Sequence, residues 1–111
     1  MTYALALDLT NDPAHWADYD RYHTAVWPEI EAGIRAAGIT GMTIYRLENR
    51  LFMLMDTDET FSFEQKAQMD AENDTVQAWE TLMATYQQAI PGGHPGEKWR
   101  LLQPVYRLGG G

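Results

Sequence analysis

The chain has no cysteine, so disulfides, thiolate nucleophiles and cysteine-ligated metals are excluded at the outset. Lysine occurs only at Lys66 and Lys98, and the six arginines are scattered, leaving a net charge of -8. Phosphate binding needs a basic stripe, so nucleic acid is excluded as a partner and an anionic membrane surface is disfavoured. The same charge disfavours a polyanionic substrate. No apolar run approaches the roughly 18–20 residues that span a bilayer. The apolar stretch from Met1 to Leu9 has no basic residue before it, so it does not resemble a secretory leader and a cytoplasmic location is expected. Glycine-rich phosphate loops, nucleophile elbows and paired-histidine metal motifs are all missing.

What is present is an ordinary globular composition, 45% hydrophobic and 22% charged over 111 residues, enough for one domain with a core. Residues 3–9 alternate, with Tyr3, Leu5, Leu7 and Leu9 on one side, and read as a strand. Asn11 or Asp12 is placed to cap a helix that has Pro13 in its first turn. Pro28 then opens a second helix, in which Ile30, Ile34 and Ala37 form the apolar stripe before Gly38 ends it. Residues 40–47 and 50–56 read as two strands joined at Glu48-Asn49, with Asn49 the better candidate for positive φ. The second of these is apolar on both sides, as expected of a central strand. Helical spacing resumes over 60–71, and a last helix capped by Asn73 or Asp74 is expected to run to about Ala89. Pro91 to Gly96 is a loop, residues 99–108 read as a final strand, and Gly109 to Gly111 form a loose tail.

That order, βαββαβ with paired helices, is the order of an α+β ferredoxin-like sheet with helices on one face. The opposite face, expected to carry Met53 and Phe52, would stay wet in a monomer. A face-to-face homodimer, a dimeric α/β barrel, is the expected remedy.

The stretch from Tyr19 to Glu29 concentrates the chemistry. Tyr19 and His23 are four apart, on one helix face with Cβ atoms roughly 5–6 Å apart. Histidine is the side chain whose ordinary pKa suits proton transfer at neutral pH. It equally serves as a helix-terminal residue satisfied by one hydrogen bond. Trp79 fits either a core position or a stacking platform for a sugar ring. His15, near a helix cap, reads as a surface residue, and His94 lies in the glycine-proline loop. Asp70, Glu72, Asp74 and Glu80 read as caps and a solvated face, and no metal-ligand spacing is visible.

Taken together, Tyr19-x-x-x-His23-x-x-x-Trp27-Pro28-Glu29, Ile44-Tyr45, Leu51-Phe52, Gln77-Ala78-Trp79 and the closing Pro104-Val105-Tyr106 resemble the L-rhamnose mutarotase family, from about Tyr3 to Leu108. The resemblance implies a dimeric ferredoxin-like isomerase that interconverts the anomers of a monosaccharide without cofactor or metal. It also implies that His23 is the proton donor and that Tyr19 and Trp79 contact the sugar. Two substrate-binding positions depart from the rhamnose pattern. Met42 stands where the family has a tyrosine on the second strand, and Glu80 where a second tryptophan follows the first. L-fucose is therefore as open as L-rhamnose. The competing classes are a ferredoxin-like dimeric barrel monooxygenase acting on aromatic substrates, which would share the fold and the apolar dimer face, and a non-catalytic sugar-binding module, which would keep Trp79 but need no histidine.

Overall fold

The computed structural model describes residues 1–93 and 98–109. The elements run β1 (Thr2–Leu9), α1 (Pro13–Tyr22), α2 (Pro28–Ala36), β2 (Ile39–Leu47), β3 (Arg50–Thr57), α3 (Phe63–Ala71), α4 (Asp74–Ala84), β4 (Gln87–Gln88) and β5 (Arg100–Leu101). The sheet order is β2-β3-β1-β4, with β5 sharing the same edge of β1 as β4, and every pairing is antiparallel. This is the ferredoxin-like arrangement, with its helices on one face of the sheet.

Register decides the two faces. Leu5, Leu7 and Leu9 of β1 stand opposite Met53, Leu51 and Gln87 on neighbouring strands and face the helices. Leu7, Leu9 and Leu51 are fully buried there, each contributing about 1.5–3 kcal/mol relative to exposure. Around them gather Tyr19 and Ile30 of the first helix pair and Val76, Trp79 and Met83 of α4. Met53 also belongs to this side, 6% exposed. Its expected place on the uncovered face is thus corrected, because it alternates in phase with Leu51 and Met55. The other face carries Phe52 against Ala6 and Tyr45, and Leu54 against Ala4 and Thr43. Phe52, Tyr45 and Leu47 are exposed. Asp8, on this face, is buried and held by the Arg50 guanidinium across the strand pair.

The caps explain the helix boundaries. Asp12 accepts from Ala14 N–H at 2.9 Å and fixes the start of α1. Ser62 does the same for α3 through Gln65 N–H at 3.1 Å. Residue 60 is therefore outside the helix, its Thr60 N–H and hydroxyl bonded to Asp58 instead. Asn73, rather than Asp74, caps α4 through Thr75 and Val76 N–H.

Three further features differ from those expected. Positive φ at the β2–β3 turn falls on Glu48, at 50°, and not on Asn49. Asn49 is engaged elsewhere: its carbonyl accepts from Leu9 N–H, and its side-chain amide donates to the Leu9 carbonyl. Helix α4 stops at Ala84, since Gln87 and Gln88 are taken into the sheet beside Leu9 and Asp8. The final strand shrinks to Arg100–Leu101. Pro104 lacks the N–H a ladder needs, and Val105, Tyr106 and Leu108 lie exposed.

Gly38 ends α2 at φ 96°. A Cβ there would come within 2.6 Å of Asp58 Oδ1 and 2.7 Å of Thr60 Oγ1. Gly38→Ala is expected to destabilise the fold by more than about 1 kcal/mol, from the left-handed backbone and the collision together. Urea denaturation checks this, with Gly33→Ala, where nothing lies within 4 Å, as the benign control.

Candidate active site

Helix α1 delivers Tyr19 and His23 to the space beneath the sheet. Its start is tied by the Trp16 indole N–H, which donates to the Thr10 carbonyl at 2.7 Å. Its end is tied by Arg46 of β2, whose guanidinium donates twice to the Asp20 carboxylate, at 2.9 and 2.7 Å. His23 is the C-cap residue, so its ring folds back over the last turn. The Tyr19 and His23 rings lie 4.2 Å apart, tilted by 30°. The His23 Nδ1 is 2.8 Å from the Tyr19 carbonyl oxygen. A carbonyl can only accept, so Nδ1 carries the hydrogen, and Nε2 is left as the nitrogen that gains or loses a proton.

Tyr19 is 3% exposed. Burial, aided by the nearby Asp20 charge, holds its hydroxyl pKa far above the ordinary tyrosine value. Tyr19 therefore remains a neutral hydroxyl, able to hydrogen-bond and unsuited to act as a base. Trp79, 8% exposed on α4, meets the His23 ring edge-on at 5.7 Å and the Trp27 ring at 5.0 Å. Its two readings are compatible, because it belongs to the core cluster and also faces the cavity.

That cavity, about 350 Å³, lies between the helices and the sheet and is lined by Tyr19, His23, Met42, Trp79 and Glu80 among others. The volume is at the lower end of the range of small-molecule sites. All five site residues expected from the sequence thus share one cavity. Met42 reaches it because β2 places it opposite Met55 on the helix side of the sheet. A second groove of about 410 Å³ between α2 and β2 also includes His23 and Met42.

Several lining residues were not anticipated: Lys66, Asp70, Gln87, Lys98 and Trp99. Asp70, read as part of a solvated face, is instead ion-paired with Lys66 along the cavity wall. The i, i+4 spacing of Lys66 and Asp70 signals the pair but not its direction. His15, with 33% of its side chain exposed and its Nδ1 2.6 Å from the Thr10 hydroxyl, lies outside the cavity. His94 falls outside the described residues. Among the described residues no three metal-ligating side chains converge, and no helix is long and apolar enough to cross a membrane.

Fold and cavity together define a small ferredoxin-like protein whose described residues bring the His23 imidazole and two tryptophans, Trp79 and Trp99, to a chamber of small-molecule size. The chain belongs to the L-rhamnose mutarotase family, whose model matches residues 2–108, and so is a sugar mutarotase, an isomerase acting on carbohydrate. An L-fucose mutarotase of Xanthomonas campestris pv. campestris is 44% identical over 104 residues, covering 92% of this chain and 83% of its own. The crystal structure of an L-rhamnose mutarotase from Formosa agariphila superposes with a TM-score of 0.71 at 21% identity, covering 98% of this chain and 99% of that one. A dimeric ferredoxin-like protein from an uncultured marine organism superposes at 0.54 with 12% identity, covering 96% and 91%.

Proposed function

We propose that the cavity interconverts the α and β pyranose forms of a 6-deoxy-L-hexose, with His23 as the group that gives and retakes the proton. The observation that carries this is the His23 ring itself. With Nδ1–H fixed on the Tyr19 carbonyl, one nitrogen remains for proton transfer in an aromatic-walled chamber. In the opening step Nε2–H protonates the ring oxygen, the bond from that oxygen to C1 breaks, and the anomeric hydroxyl releases its proton to solvent as C1 becomes a carbonyl. Rotation about C1–C2 presents the other carbonyl face. Reclosure returns the proton from the ring hydroxyl to Nε2, and the carbonyl oxygen takes one from solvent. Tyr19 holds a hydroxyl, Trp79 takes the apolar face of the ring, and Met42 and Glu80 line the remaining contacts. The reaction as drawn uses no metal or cofactor.

Of the two sugars, L-fucose is the substrate the pocket favours. The relative at 44% identity is an L-fucose mutarotase, and Met42 and Glu80 replace two aromatic contacts of the rhamnose pattern. Glu80 sets a charged hydrogen-bonding group where that pattern has an indole, and a hydrogen-bonding wall discriminates hydroxyl configuration more strongly than an apolar one. Saturation-transfer NMR on both sugars is expected to show faster exchange for L-fucose, undiminished by chelator. Glu80→Trp is expected to move the ratio toward L-rhamnose. No enzyme-dependent exchange on either sugar removes the reading.

The working unit is a homodimer, formed sheet to sheet in the cytoplasm. Phe52, Tyr45 and Leu47 form an exposed apolar patch on the face without helices, and a structural neighbour of the same fold is dimeric. Patches of this kind mark interfaces, and a self-complementary pairing closes with two copies. Sedimentation at micromolar concentration is expected to give a dimer, and Phe52→Glu a monomer. A monomeric wild type that binds no hydrophobic dye would count against the assembly.

A further inference from the structure

Strand β4 consists of Gln87 and Gln88 alone. Gln87 stands opposite Leu9, a fully buried residue of the helix-covered face, and Gln88 stands opposite Asp8 on the other face. Residues directly opposite in an antiparallel pair share a face, so the Gln87 side chain is directed to the side that holds the cavity. It lines that cavity together with Tyr19, His23 and Trp79.

The amide oxygen of Gln87 is shielded from water and has no hydrogen-bond partner, the one such buried side-chain atom among the described residues. Elsewhere in the wall, Lys66 and Asp70 are engaged with each other. Buried polar atoms are nearly always paired, and an unpaired one is unfavourable. None of the described residues uses this oxygen. The terminal torsion of a glutamine is soft, so the amide turns toward an arriving hydroxyl with little resistance.

We propose that Gln87 is a specificity-determining residue whose side-chain amide binds hydroxyls of the sugar, an inference that rests on the mutarotase reading above. A primary amide presents an acceptor and a donor side by side. The oxygen accepts from one hydroxyl and the nitrogen donates to its neighbour, so the amide matches adjacent hydroxyls of a pyranose. That match depends on whether each hydroxyl is axial or equatorial, which is how L-fucose and L-rhamnose differ.

The test is anomer exchange against sugar concentration for the full chain and for Gln87→Met, which keeps length and removes both polar atoms. Gln87→Met is expected to raise the half-saturating L-fucose concentration about three- to tenfold, to narrow the preference between the two sugars, and to leave the limiting rate nearly unchanged. Its melting temperature is expected to stay level or rise, because the substitution removes an unpartnered buried oxygen. A merely structural glutamine gives the reverse, with lower melting and unaltered half-saturation in the folded protein, and that result overturns the proposal. If Gln87→Met does not fold, the assigned Gln87 side-chain amide resonance of the wild type decides. It is expected to shift on titration with L-fucose, in step with the saturation of exchange, and an unmoved resonance overturns the role. A wild type inactive on both sugars would instead overturn the mutarotase reading itself, whereas an active wild type with a silent Gln87 removes only this inference.

Discussion

His23→Ala is expected to lower the rate of anomer exchange about 10²–10⁴-fold, the range of a positioned general acid or base. Sugar affinity should fall much less, because Tyr19 and Trp79 remain in the cavity wall. Tyr19→Phe is expected to show the complementary pattern. It loses one neutral hydrogen bond, about 0.5–1.5 kcal/mol, mainly as weaker binding, since the buried hydroxyl stays protonated and carries no proton in the reaction. His23 also has a structural duty through its bond to the Tyr19 carbonyl. If that were its whole role, His23→Ala would change melting and leave exchange in the folded fraction intact. Exchange and melting measured on one preparation separate the two, and a folded His23→Ala protein with near-normal exchange ends the proposed mechanism.

Trp79→Ala carries the largest expected effect on stability, about 3–5 kcal/mol for a truncated buried tryptophan. Trp79 is 8% exposed and edge-packed by Trp27 and Tyr22 as well as His23, so little can collapse into the space it leaves. Against a total stability of about 5–15 kcal/mol, such a loss brings the fold close to its limit, and urea denaturation measures it. Trp79→Phe retains much of the packing and tests the other duty. A side chain that serves only the core leaves the half-saturating sugar concentration unchanged in the phenylalanine variant. A platform for the sugar raises it, because a smaller ring offers less surface to the pyranose.

Sequence alone determined the starts of α1 and α2, the hairpin strands and the grouping of candidate residues. Those features depend on local chemistry: a cap accepts from N–H groups two or three residues on, proline fixes its own φ, and alternation sorts a strand's two faces. Tyr19 and His23 were legible for the same reason, being one helical turn apart. The short stretch Gln87–Gln88 was not. Its apparent helical continuation from Ala84 is overridden by pairing with Asp8 and Leu9, nearly eighty residues earlier in the chain. Residues 103–108 lost their strand pairing because the edge of β1 is shared by β4 and β5 and Pro104 cannot donate. Glu48 took the positive φ because Asn49 is bound to Leu9 across the sheet. The direction in which Lys66, Asp70, Glu80 and Gln87 point was likewise decided by tertiary packing. A carboxylate or an amide on a polar-looking helix face has the same local pattern whether it meets water or a cavity, and only the elements packed opposite settle which.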